Sequence, residues 1–285
     1  MKLCRYQAGH EPPRVGCLLD DVTVGDLTSA GVASLESVLE RDDPLPWLKG
    51  VAERAQPARP LSQVRLLPPL EGQEVWAAGV TYLRSKTARM EESKHSASAY
   101  DLVYEAERPE LFFKALPQKV VGPGEAIGVR RDSKWTVPEP ELALVINSRG
   151  KVTGCTIGND VSARDIEGAN LLYLPQAKVY DRSCALGPCV VLGASEAAVR
   201  TWTIRLEIHR AGHLAFSGQT DVGRIKRRFD ELAQFLFRSQ TFPQGAVLLT
   251  GTGVVPPDDF TLEAGDTVRI TVSGIGTLEN PVVAV

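Results

Sequence analysis

From residue 75 onward the chain is dominated by short runs of β-branched and apolar residues, broken every few positions by Gly, Pro or Asp. The runs at 75–80, 141–146, 151–158, 189–192, 202–209, 246–249 and 267–273 predict strands, because branched side chains pack well on a pleated surface and the breakers end it. Residues 221–238 depart from this pattern. There Val222, Ile225, Phe229, Leu232 and Leu236 recur every three or four positions, which predicts an amphipathic helix with Asp221 as N-cap. A second, polar helix is expected over 87–105. Before residue 70 the elements are smaller: a hairpin-like stretch over 14–24 and a short helix over 34–41, stopped before Pro44. The run 56–70 holds four prolines and predicts a linker, since proline continues neither helix nor central strand. The expected fold class is α+β, mostly β, with a small N-terminal domain over 1–70 and a larger β-rich domain over 71–285.

At 285 residues and 43% hydrophobic content, the chain is large enough to bury a sizeable core in two domains. Its formal net charge of −3 offers no positive excess to hold a polyanion, so nucleic acid is not an expected partner. No apolar run approaches the roughly 20 residues that span a bilayer, and the first residues do not read as a leader, so the expected location is cytoplasmic, away from membranes. The five cysteines are scattered and odd in number, which predicts reduced, buried thiols rather than disulfides.

The chemistry concentrates between residues 137 and 160. Side chains alternate faces along a strand, so Glu139 and Glu141 point the same way as Ala143, and Leu142, Leu144 and Ile146 point to a core on the other side. Asn147-Ser-Arg-Gly150 is a turn sequence, and a hairpin closing there pairs residues whose numbers sum to roughly 298. Asp160 then falls beside Glu139. Like charges at cross-strand spacing destabilise a sheet unless something neutralises them, and a hard dication does so. All-oxygen ligation suits Mg²⁺, or Mn²⁺ or Ca²⁺, better than Zn²⁺. The competing reading is a Glu-Pro-Glu segment on a solvated edge strand.

Several spaced blocks, in order, resemble the fumarylacetoacetate hydrolase family: Arg108-Pro-Glu-Leu-Phe-Phe-Lys-Ala, Glu139-Pro-Glu141, Gly158-Asn-Asp-Val-Ser-Ala-Arg-Asp165, Lys178 ahead of Gly187-Pro188, Thr250-Gly-Thr-Gly, Gly265-Asp266 and Gly274-Ile-Gly276. The match spans about 75–285. The wording of 108–114 and of Leu-Tyr-Leu-Pro-Gln-Ala-Lys over 172–178 looks most like the family's 2-keto-3-deoxy-D-arabinonate dehydratase branch. The resemblance implies a β-rich catalytic domain, a Mg²⁺ site at Glu139, Glu141 and Asp160, and a homo-oligomer, dimer or tetramer. It also implies a small 2-oxo acid as substrate, held to the metal through its carboxylate and C2 carbonyl oxygen so that the cation stabilises the enolate left when a C3 proton departs.

Within that frame Lys178 and Glu110 match the branch's proton-transfer positions, with a surface lysine and a salt-bridged glutamate as the bland alternatives. Lys114, a charge in an apolar strand, is expected to neutralise the carboxylates from behind. Asp165 joins it there, as an orienting group or an internal ion pair. Arg164, Thr252 and Tyr82 are the candidate substrate contacts, Thr252 through its hydroxyl and backbone NH. One departure matters. Hydrolase members carry a lid histidine soon after a Gly-x-x-Tyr block, but after Gly79-Val-Thr-Tyr82 this chain has none before His95. A lid over 82–100 is still expected. Three readings stay open: dehydration of a 2-keto-3-deoxy sugar acid, C–C hydrolysis of an acylpyruvate or fumarylacetoacetate type of substrate using His95, and a non-catalytic ligand-binding protein.

Overall fold

The computed structural model describes residues 1–54, 58–82 and 102–285. His95 and nearly all of the expected lid and polar helix lie outside the described residues. The strands that build the scaffold are, in chain order, β1 (Lys2–Gln7), β2 (Arg14–Leu18), β3 (Thr23–Asp26), β4 (Glu74–Gly79), β5 (Glu110–Ala115), β6 (Pro140–Ile146), β7 (Val152–Asp160), β8 (Cys184–Leu192), β9 (Thr203–Arg210), β10 (His213–Asp221), β11 (Ala246–Thr252), β12 (Thr267–Val272) and β13 (Gly276–Ala284). Helices are short: α1 (Leu35–Leu39), α2 (Pro44–Ala52), α3 (Arg164–Ala169), α4 (Leu174–Lys178), α5 (Glu196–Val199) and α6 (Phe229–Phe237). No helix among the described residues is long and apolar enough to cross a membrane.

Among the described residues one large mixed sheet runs β3-β2-β1-β8-β7-β6-β11-β4-β5, and a second runs β10-β9-β12-β13 and on to a short strand at Ile127–Val129. The second sheet obeys simple alternation: Ile204, Leu206 and Ile208 on β9 and Val268, Ile270 and Val272 on β12 are buried, while Arg205 and Arg269 between them are exposed. These residues share a core with Leu142, Leu144 and Ile146 of β6, so the even-numbered face of β6 packs as its pattern predicts. The odd-numbered face differs from expectation. Past Glu141 it too is buried, Ala143 against Val75, Val247 and Leu249 and Val145 against Leu3 and Val190, because the large sheet has apolar cover on both sides.

Residues 1–70 join the rest through a shared sheet, with β1 pairing β8 at Lys2↔Val191 and Leu3↔Val190. The proline-punctuated run is not a free tether: Arg65–Leu67 pairs with β1, and Leu67 and Leu70 are buried. Helix α1 is capped as its sequence predicts, Ser37 N donating to Ser34 Oγ at 3.0 Å. The helix foreseen over 221–238 is shorter. Residues 222–224 form one tight turn, Ile225 is extended, and the true helix starts at Phe229, with Glu231 accepting from Arg228 N at 3.4 Å. The intervening polar groups are committed elsewhere: Lys226 N donates to Thr81 O and Lys226 Nζ to Tyr104 O. All five cysteines are free and buried, and burial pushes the Cys184 and Cys189 thiols up to about 12, which suits inert packing residues.

Candidate active site

Strands β6 and β7 deliver the carboxylates. Near the turn the register pairs Ile146 with Val152; a bulge between Val145 and Ile146 shifts it by one, and from there to Pro140↔Asn159 the numbers sum to 299. The shift seats Asp160 opposite Glu139, its amide donating to Glu139 O at 3.0 Å. Asn159, pointing to the other face, accepts from Glu139 N through Oδ1 at 3.2 Å and so fixes the strand entry. Glu139, Glu141 and Asp160 each bring a carboxylate oxygen within 4.8 Å of the others, and all three are buried.

Three cations hold this cluster together. Lys178 Nζ donates to Glu139 Oε2 at 2.7 Å, Asp160 Oδ2 at 3.0 Å and Ser162 Oγ at 2.5 Å. Lys114, fully buried on β5, lies 2.5 Å from Asp160 Oδ1 and also donates to the carbonyls of Val161 and Lys178. Arg164 grips Glu139 Oε1 through Nε at 3.1 Å and Nη2 at 2.8 Å. Glu141 receives the Gly251 amide at 2.6 Å. Burial first, then the charges of Asp160 and Glu139, hold the Glu141 carboxyl well above the usual carboxylate range, against Lys178 and the Gly251 amide. A carboxylate so placed gains from a further positive charge. Buried all-oxygen donors in this number fit a hard dication that leaves positions open for substrate.

Lys178, Glu110, Arg164 and Thr252 line one pocket with the three carboxylates. Glu110 opens β5 opposite Gly79, and the bare glycine leaves room for its carboxyl, because a Cβ at Gly79 would lie 2.1 Å from Glu110 Oε2 and push that group aside. Thr252 lines the wall, but its hydroxyl donates to Val254 O at 3.1 Å within its own turn, so a free hydroxyl for substrate is not what the geometry offers. Tyr82 is not among the lining residues. It is buried in the core behind Gly253, where a Cβ would lie 2.5 Å from its ring. Asp165 is also absent from the wall: it accepts from Ser133 Oγ at 2.6 Å and Lys134 N at 2.7 Å, and so anchors the loop before β6. Sequence reasoning missed Ser162 and Glu167. Glu167 sits three residues after Arg164 on α3, a spacing that puts both on one helix face, and it is buried in the same wall.

Replacing Glu141 with Gln removes one charge of the three-carboxylate cluster but keeps the shape. Mg²⁺ affinity by calorimetry is expected to fall more than roughly a hundredfold, beyond the loss typical of residues that only support a ligand. The metal-free variant should melt no lower than wild type, since a buried carboxylate among like charges has been neutralised. Unchanged Mg²⁺ binding would remove Glu141 from the ligand set.

The chain is similar to several known proteins. Over 217 residues the chain is 51% identical to the probable 2-keto-3-deoxyxylonate dehydratase of Haloferax volcanii, covering 76% of this chain and 74% of that one. It is 44% identical over 225 residues to the 2-dehydro-3-deoxy-D-arabinonate dehydratase of Saccharolobus solfataricus, covering 78% and 76%. A solved structure of 2-keto-3-deoxy-D-arabinonate dehydratase complexed with magnesium and 2,5-dioxopentanoate superposes with a TM-score of 0.83 at 36% identity, over 100% of this chain and 99% of the other. Residues 74–283, which carry every carboxylate and cation of the site, match the family described as fumarylacetoacetate (FAA) hydrolase C-terminal, and the chain belongs to that family.

Proposed function

We infer that this chain is a lyase that dehydrates a 2-keto-3-deoxy sugar acid with Mg²⁺ as its cofactor. The observation that carries the reading is the placing of a buried lysine and a glutamate, Lys178 and Glu110, in one pocket with a three-carboxylate cluster. The relatives named as sugar-acid dehydratases and the magnesium-bound neighbour support it.

Glu139, Glu141 and Asp160 would hold the dication, which supplies a Lewis acid for the carboxylate and C2 carbonyl oxygens of the substrate and so acidifies C3. Lys178 takes the proton from C3. Its Nζ is held by Glu139, Asp160 and Ser162, so the base has a fixed address beside the ligands rather than a free side chain's range of positions. Glu110, across the pocket on β5, gives its proton to the C4 hydroxyl, which leaves as water while C3 and C4 become doubly bonded. Arg164 keeps Glu139 oriented, and Lys114 does the same for Asp160. Leu171, Leu172 and Tyr173, exposed beside the segment that carries Lys178, support assembly into a homo-oligomer, dimer or tetramer. The expected setting is cytoplasmic.

The test is a pair of assays on one preparation with Mg²⁺. Release of a 2-oxo-acid semialdehyde from 2-keto-3-deoxyarabinonate or 2-keto-3-deoxyxylonate should be fast, and loss of the enol absorbance of an acylpyruvate should be slow or absent. Fast acylpyruvate cleavage without dehydration would overturn the reading in favour of C–C hydrolysis.

A further inference from the structure

Asp160, Ser162 and Arg164 stand at every second position, and extended backbone sends alternate side chains to one side. Asp160 closes β7, and the chain continues as a two-residue strand, Ser162–Ala163, whose backbone is pinned by the pairing of Val137 with Ser162. All three side chains arrive at the carboxylate cluster. Asp160 belongs to it, Arg164 grips Glu139, and Ser162 Oγ lies 2.5 Å from Lys178 Nζ. Ser162 is fully buried and gives its hydroxyl proton to Asp160 O at 2.9 Å, so the oxygen turns its lone pairs to Lys178.

Glu139, Asp160 and Ser162 hold Nζ in different ways. On the reading above, the two carboxylates also face a dication, and their hold on Nζ is then shared with it. Ser162 is not ionisable and is tied to backbone at both its strand and its hydroxyl, so its place does not depend on whether the cluster is loaded.

We propose that Ser162 is a positioning residue for the base: its hydroxyl keeps Lys178 Nζ in place while Glu139 and Asp160 are engaged with the metal. The inference rests on Lys178 as the group that takes the C3 proton. An amine on a flexible four-carbon stem has many positions to choose from, and a misplacement of about 1 Å is enough to cost on the order of a hundredfold in rate.

The experiment compares wild type with Ser162→Ala and Ser162→Thr, in exchange of the C3 protons of 2-oxobutyrate with deuterated solvent, in Mg²⁺ affinity by calorimetry, and in the side-chain ¹⁵N–¹H signal of the Lys178 ammonium, identified by its loss in Lys178→Met. Ser162→Ala should lower kcat for exchange by about tenfold to a hundredfold with KM nearly unchanged. Its Mg²⁺ affinity should stay within about threefold of wild type, short of the roughly tenfold loss that marks a group supporting a metal ligand. The ammonium signal should broaden and move. Ser162→Thr, which keeps the hydroxyl, should recover most of the rate and the wild-type signal. An unchanged ammonium signal in Ser162→Ala would overturn the proposal, as would exchange at the wild-type rate, or a loss of exchange matched by an equal loss of Mg²⁺ affinity. A Ser162→Thr protein that melts with wild type yet exchanges no faster than Ser162→Ala would also overturn it. A wild type that exchanges no C3 protons would count instead against Lys178 as the base, and the ammonium signal would then decide whether Ser162 holds Nζ.

Discussion

Lys178→Met should abolish exchange of the C3 protons of 2-oxobutyrate with deuterated solvent, lowering the rate by roughly a thousandfold, in the middle of the range for loss of a positioned general base. Methionine keeps much of the side-chain length and removes the amine. In the cation-free protein this leaves Glu139 Oε2 and Asp160 Oδ2 without the ammonium that bridges them at 2.7 and 3.0 Å. Breaking one side of a buried ion pair costs about 3–5 kcal/mol, so the metal-free variant should melt well below wild type. The sign reverses for metal. With its ammonium competitor gone, the triad should bind Mg²⁺ at least as tightly, and Mg²⁺ should restore much of the lost stability. A variant that binds Mg²⁺ normally and yet exchanges C3 protons at the wild-type rate would show that Lys178 is structural, and the base would have to be sought elsewhere in the pocket.

The cluster was legible because it depends on strand geometry alone. Period-two alternation put Glu139 and Glu141 on one face, the turn at 147–150 set the pairing sum, and an error of one residue from the bulge at Val145/Ile146 moved Asp160 closer to Glu139. Lys114 stood out as a charge in the apolar run of β5, and it proves fully buried against Asp160. What the pattern could not yield was the destination of side chains whose partners are far away in the chain. Asp165 and Arg164 are neighbours in sequence, but Arg164 turns inward to Glu139 while Asp165 turns outward to Ser133. Tyr82 closely follows the strand that enters the site, yet its backbone path after Val80 carries it behind Gly253. Val80 itself holds φ at 51°, a left-handed value that a β-branched residue adopts only where the surroundings enforce it, and no local propensity announces it. The 221–238 helix failed for a related reason: Val222 and Ile225 are buried as an amphipathic pattern requires, but Lys226 and Arg227 between them and Phe229 are drawn to the carbonyls of Thr81, Tyr104 and Glu107.

Glu110→Gln separates the two halves of the reaction. The substitution is isosteric, so it preserves the fit against Gly79, where a Cβ would leave only 2.1 Å to Oε2. On the proposed mechanism it removes the proton that the C4 hydroxyl takes in order to leave as water. Dehydration is expected to fall by about a hundredfold to a thousandfold, the loss typical of a general acid, while C3 exchange of 2-oxobutyrate, which has no leaving group at C4, should stay within about fivefold of wild type. Enlarging the opposite wall instead, by Gly79→Ala, should displace the Glu110 carboxyl and reproduce the loss of dehydration without changing any ionisable group. Both rates are read on the same Mg²⁺-loaded protein, by proton NMR for exchange and by semialdehyde release for dehydration. Equal loss of the two in Glu110→Gln would mean that Glu110 supports the site as a whole rather than acting on the leaving hydroxyl, because a group engaged only with C4 has no means of slowing proton removal from a substrate that lacks the hydroxyl.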